Sequence, residues 1–277
     1  MAVNPRGQQR PEADVPSRAV PPPVAAPGPA AAEPPARRPR RPRGSLNQQV
    51  ITEAALRICD RGGIEALTFE ALGRELDAHP TAIYRHFRDK DELLLALTDA
   101  LHAQATAGGL PVTGDWARDL RTVARRIKGA FMAHPQVGQL VAARTARRQH
   151  EFEVVEHILG CMRRAGLPDR EAARCYRVFA DAVLAYASME AALHALDAPT
   201  READLRSWEV DYRALPADRF PNVAALLDDI PALDSPDNFE LAIDLLIDSI
   251  RARASFPGPG TDGVSSTDSE VRNGERR

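Results

Sequence analysis

The chain has 277 residues, 44% of them hydrophobic, and a formal net charge of −3. That is enough apolar material for a buried core in one or two domains, and any contact with nucleic acid has to come from a local basic patch because the whole is not basic. No stretch reaches the roughly 18 to 20 uninterrupted apolar residues of a membrane span, and the N-terminus lacks the apolar centre of a secretory signal, so a cytoplasmic protein is expected.

Residues 1–44 hold Pro21-Pro22-Pro23, many alanines and a cluster of Arg37, Arg38, Arg40, Arg41 and Arg43, with no hydrophobic period. They read as a disordered arm, either a solvated leader or a basic extension reaching along a DNA groove. From there to about residue 254 the pattern is helical, with no convincing alternating strand, and an all-α fold is expected. Ser45 and Gln48 have capping-box spacing before a first helix over about 47–61, which would bury Val50, Ile51, Ala54, Ala55 and Ile58 and stop at Gly62-Gly63.

Thr68 is a good N-cap for a short second helix ending near Leu76, with Leu67 and Leu72 spaced as a hydrophobic staple. Asp77-Ala78-His79 is the turn. Pro80 then suits the first position of a third helix running to about His86, where its missing N–H costs nothing. Asp89 caps a fourth helix, with Glu92 in the capping-box position and Leu94, Leu97 and Leu101 at helical spacing. Further helices are expected at about 115–133, 136–144, 148–165, 169–196, 221–230 and 237–253, with a longer loop over 198–220 and a second disordered tail over 255–277. Cys59, Cys161 and Cys175 lie far apart without ligand spacing and read as small core residues.

Thr68 to Phe87 has the form of a helix-turn-helix: two short helices on a three-residue turn, the second able to enter a major groove. Leu72, Leu76, Ile83 and Phe87 would face the first and fourth helices, leaving Pro80, Thr81, Tyr84, Arg85 and His86 outward. Spacing alone leaves open an ordinary amphipathic helix pair. The residues Tyr84-Arg85-His86-Phe87, then Lys90 and Leu93-Leu94, together with Ala54-Ala55-Leu56, Gly63, Leu67-Thr68 and Leu72, resemble the N-terminal DNA-binding domain of the TetR family of transcription regulators.

The resemblance implies that Thr68 anchors a phosphate, that Pro80, Thr81 and Ala82 approach base edges, that Tyr84 and His86 hold backbone phosphates, and that Lys90 pairs with another. Arg85 would either fork onto a guanine or bind phosphate. The chain departs from the family where glycine is common in the turn and serine caps the recognition helix: it has Asp77 and His79. Aspartate tolerates the left-handed conformation, so the turn is expected to survive.

Phe131 to His134, the alanine-rich helix through Tyr186, and Phe239 to Ile250 resemble the C-terminal domain of the tetracycline-repressor branch. The last helix carries Phe239, Ile243, Leu246 and Ile250 on one stripe, widened by Leu241, Leu245 and Ile247, more apolar surface than one face needs. With the helix at 169–196, it is expected to form a four-helix interface between two copies, against purely internal packing.

Phe131, His134, Met162 and Tyr186 are candidate walls of a small-molecule pocket, or else ordinary core. His134 falls where that branch uses a histidine for a metal-chelated drug, but the other ligands are not evident, so no metal and no cofactor is expected. No nucleophile elbow, phosphate-binding glycine loop or HExxH supports catalysis. The expected arrangement is an arm (1–44), a DNA-binding domain (45–105), a ligand and dimer domain (110–254) and a tail. The expected protein is a homodimer on a double-stranded DNA operator, released by a small-molecule effector; the alternative is a helical ligand-binding protein without operator recognition.

Overall fold

A computed structural model describes residues 46–255, except Leu233 and the side chains of Trp208 and Glu209. The basic arm, Ser45 and the tail after Ser255 lie outside the described residues. The described chain is helical throughout, and no helix in it is long and apolar enough to cross a membrane.

Helix α1 (Gln48–Gly62) is capped by Asn47, whose side chain accepts from the Val50 N–H at 2.8 Å. Its buried face is Ile51, Ala54, Ala55, Leu56, Ile58 and Cys59, with Val50 half-buried, and Gly63 at φ 71° ends it. A 3-10 turn (Ile64–Ala66) leads to α2 (Phe69–Leu76), where Thr68 Oγ1 accepts from the Ala71 N–H at 3.0 Å. Asp77 takes the left-handed conformation, φ 49° and ψ 47°, as its tolerance for it predicts. Gly73 matters here for a different reason: a Cβ on it would come within 2.7 Å of the Ala78 carbonyl oxygen.

Helix α3 (Pro80–Tyr84) ends two residues before His86, and the chain closes with the His86 and Phe87 N–H groups donating to Ile83 O. Helix α4 (Lys90–Thr106) starts on a double cap: the Asp89 carboxylate accepts from the Glu92 N–H at 2.8 Å, and Glu92 accepts from the Arg88 N–H at 2.9 Å. Leu72, Leu76, Ile83 and Phe87 are all buried, which joins the short helices to α1 and α4 in one core.

Helices α5 (Trp116–Ala133), α6 (Pro135–Val141) and α7 (Gln149–Arg164) pack on α4, and α8 (Asp169–Ala195) packs on those three, extending the same core. The N-terminus of α7 has no cap of its own; Asp99 of α4 accepts from the His150 and Glu151 N–H groups at 3.2 Å each. Asp119 of α5 is fully buried, yet it is satisfied by the Thr113 N–H and hydroxyl and by Arg164 Nη2 at 3.0 Å. Cys59 and Cys161 are buried as expected, and burial pushes both thiols up to about 11.

The expected loop over 198–220 is largely helix: α9 (Ala198–Arg213) is followed by α10 (Pro221–Leu226) and a 3-10 turn (Leu227–Asp229). Helix α9 escapes a periodicity search because no described residue in it is buried. It is initiated by local chemistry instead, with Asp197 accepting from the Thr200 N–H at 3.0 Å and Pro199 in the first turn. The final helix, α11 (Pro236–Ser255), buries Phe239, Ile243, Ile247 and Ile250, so its inner stripe runs through Ile247, with Leu246 only half-buried. Burial of these four side chains sets the rotation, and ion pairs from α5 accompany it: Arg125 to Glu240 at 2.7 Å and Arg121 to Asp244 at 2.7 Å.

Candidate nucleic-acid interface

Four short elements place the outward residues of the helix-turn-helix on one surface. The His79 Nδ1 atom accepts from the Thr81 N–H at 3.3 Å, so a histidine does the work of a serine cap at the start of α3. With Pro80 fixing the first turn, Thr81, Tyr84 and Arg85 are exposed while Ala82 and Pro80 are partly covered. The Tyr84 ring lies on Phe69 of α2 with centroids 4.3 Å apart, so its direction is held while the residue stays half exposed. Phe69 carries no sequence signal for this role, since its partner is fifteen residues away and on another helix.

The flanks of α3 are tied as firmly. Gln48 of α1 donates from Nε2 to the His86 carbonyl at 2.9 Å, and Arg148, just before α7, donates to Gln48 Oε1 at 3.2 Å. Lys90 is exposed at the start of α4, with Nζ resting 3.1 Å from the Ile64 carbonyl oxygen. Arg57 and Arg61 of α1 both bind Glu75 of α2, at 3.1 and 2.6 Å; these hydrogen bonds, Arg61 first, hold the Glu75 carboxyl below the usual range. Thr68, Thr81, Tyr84, Arg85 and Lys90 thus stand exposed around a rigid three-helix base, with His86 half-buried between them.

The four pocket candidates do not gather in the same way. Phe131 and Met162 are fully enclosed in the core, and Tyr186 is half-buried with its ring edge against Phe239, 6.2 Å between centroids. His134 is turned toward α1 and α4: Nδ1 is 3.0 Å from the Asp60 carboxylate of α1 and Nε2 is 2.8 Å from Gln104 of α4. None of the four lines either of two open clefts. One, about 650 Å³, runs along α7 past Leu110, Val112, Phe152, Glu153 and Glu156; the other, about 540 Å³, lies between α1 and α4. Among the described residues no group of three or more His, Cys, Asp or Glu is placed to hold a metal ion.

Residues 51–97 match the family model of bacterial regulatory proteins of the tetR family, and residues 109–254 match the tetracyclin repressor-like C-terminal domain. The chain belongs to the TetR family. This is a family of transcription regulators, not of enzymes. A TetR-type relative, an HTH-type transcriptional repressor of Mycobacterium tuberculosis, is 37% identical over 111 residues, 40% of this chain and 42% of the relative. The matched region therefore spans less than half the length of that relative. The HTH-type transcriptional repressor DrrR1 of Streptomyces coeruleorubidus is 25% identical over 77% of this chain and 81% of its own. Among solved structures, the TetR family protein ActR of Streptomyces coelicolor in complex with actinorhodin superposes with a TM-score of 0.68 at 27% identity, covering 78% of this chain and all of that one.

Proposed function

We propose that the protein is a homodimeric transcriptional repressor that binds a palindromic DNA operator and leaves it when a small molecule occupies the C-terminal helices. The observation that carries this reading is the rigid exposed row of Thr81, Tyr84 and Arg85, flanked by Thr68 and Lys90 at two helix starts. Helix α3 is short enough to enter a major groove, Pro80, Thr81 and Ala82 lie at its leading end, and the remaining groups suit phosphates. The Arg85 N–H donates to Ile83 O, while no ion pair or hydrogen bond engages its side chain among the described residues, so the exposed guanidinium is available to a guanine or a phosphate.

Dimerisation is supported by the apolar residues that α8 and α11 leave outside: Val178 and Met189 on one, Leu241 and Leu245 on the other, each more than half exposed. Burying these against a second copy makes a twofold assembly whose recognition helices would meet successive major grooves about 34 to 36 Å apart. The names of the relatives, two of them repressors, and the actinorhodin complex of ActR support repression and a small-molecule effector. The effector pocket would open within the packed core between Phe131, Met162 and the half-buried Tyr186, and His134, which joins the start of α6 to α1 and α4, would report its occupancy to the DNA-binding helices. The effector then acts by favouring a state whose recognition helices are wrongly spaced.

The test is selection from fragmented genomic DNA, including the gene's own upstream region, at near-physiological salt with competitor. Wild-type protein is expected to retain fragments sharing a palindrome, and Tyr84→Ala combined with Lys90→Ala to lose about a hundredfold in affinity for them. A folded, dimeric protein that selects no fragment would instead be a helical ligand-binding protein without an operator.

A further inference from the structure

The first turn of α4 contains a conflict. Asp89 is its cap, and Asp91 and Glu92 follow at positions where the partial positive charge of the helix end favours carboxylates. The same turn carries Lys90, the residue that the operator reading places against a phosphate. From Arg88 to Glu92 there are two cations and three carboxylates, a net charge of −1. Helix initiation asks for acids there, and an approaching DNA backbone is repelled by them.

The loop between α6 and α7 brings the opposite charge to this turn. Arg144 Nη2 lies 2.6 Å from Asp91 Oδ1. Arg148, held by Gln48 Oε1 at 3.2 Å, sits close enough to Glu92 for its charge to act there; the hydrogen bond from the Arg88 N–H lowers the Glu92 carboxyl most, and the charges of Arg88 and Arg148 lower it further. Arg147 between them adopts a left-handed φ of 53°, turning the chain into α7, and its N–H is taken by Glu151. Counting Arg144 and Arg148 brings the cluster from −1 to +1. The Arg144–Asp91 pair is largely solvent-exposed, where such pairs add little to stability. Its effect has to be sought in the field it creates.

We infer that Arg144 and Arg148 neutralise the acidic first turn of α4 so that operator phosphates can approach Lys90, which makes the C-terminal domain an electrostatic part of the DNA interface. The inference rests on the operator reading above. It adds that any displacement of the 142–148 loop from α4 uncovers Asp91 and Glu92 and weakens DNA binding by repulsion, even with the recognition helix unmoved.

The experiment is a charge cycle on the genomic fragment selected by the wild-type protein: Arg144→Gln, Asp91→Asn and the double variant, each checked for fold by circular dichroism and titrated at several salt concentrations. Arg144→Gln is expected to weaken binding about fivefold near about 50 mM salt, with the loss fading as salt rises. Asp91→Asn is expected to tighten binding by about the same factor, and the double variant to lie within about twofold of wild type. If Arg144 were only a mechanical tie, both single variants would weaken binding together, and that result overturns the inference. So does an Arg144→Gln variant that binds like wild type. A wild-type protein that selects no fragment would take down the operator reading and this inference with it.

Discussion

The head, α1 to α4, and the body, α5 to α11, are built on different principles. In the head each helix begins on a side chain one to three residues from its partner: Asn47, Thr68, His79 and Asp89 all accept from N–H groups of the helix they precede. In the body α5 and α9 also start on local caps, Asp115 and Asp197, but α7 does not, and the helices are tied to one another by contacts between residues far apart, such as Arg125 with Glu240, Arg164 with Asp119 and Asp99 with the start of α7. The exposed groups around α3 stand on locally capped helices, whereas the body's helices are positioned by distant partners. The contrast also appears in what each leaves outside: polar and cationic groups around α3, apolar ones on α8 and α11.

Breaking the body's outer face has the largest expected effect. Leu241→Glu with Leu245→Glu places four carboxylates in the proposed twofold interface, and sedimentation should show monomers at concentrations where wild type is a dimer. A dimer that survives the change would move the interface elsewhere. Next is the interior of the body: Asp119→Ala leaves Arg164 and the Thr113 N–H without their acceptor, and denaturant unfolding should report a loss of about 3 kcal/mol. The smallest effect belongs to the head, where a single local cap is at stake. Thr68→Ala removes the acceptor of the Ala71 N–H and should cost about 1 kcal/mol of stability, a deficit read on the same unfolding curves. A loss at Thr68 as large as that at Asp119 would erase the distinction between the two regions.

The pattern of legibility follows the same line. The helix-turn-helix, its inward residues Leu72, Leu76, Ile83 and Phe87, and the left-handed Asp77 could all be read from the chain, because each depends on spacing or on one residue's backbone preference. Helix α9 could not, since it buries nothing and leaves no period to detect. The inner row of α11 runs through Ile247 rather than Leu246, a choice between two adjacent apolar rows that depends on which one meets α5 and α8. His134 was expected among pocket walls; its side chain instead meets Asp60 and Gln104, partners 74 and 30 residues away.

The all-helical class, the family and the groups presented around α3 are legible in the chain, since these follow from helical period, capping chemistry and turn conformation within a few residues. That Tyr84 rests on Phe69, that Asp99 caps another helix, that Arg144 meets Asp91 and which apolar residues of α8 and α11 remain uncovered came from the folded arrangement alone. Those depend on how helices distant in the chain come to face one another, and spacing along one helix holds no record of that.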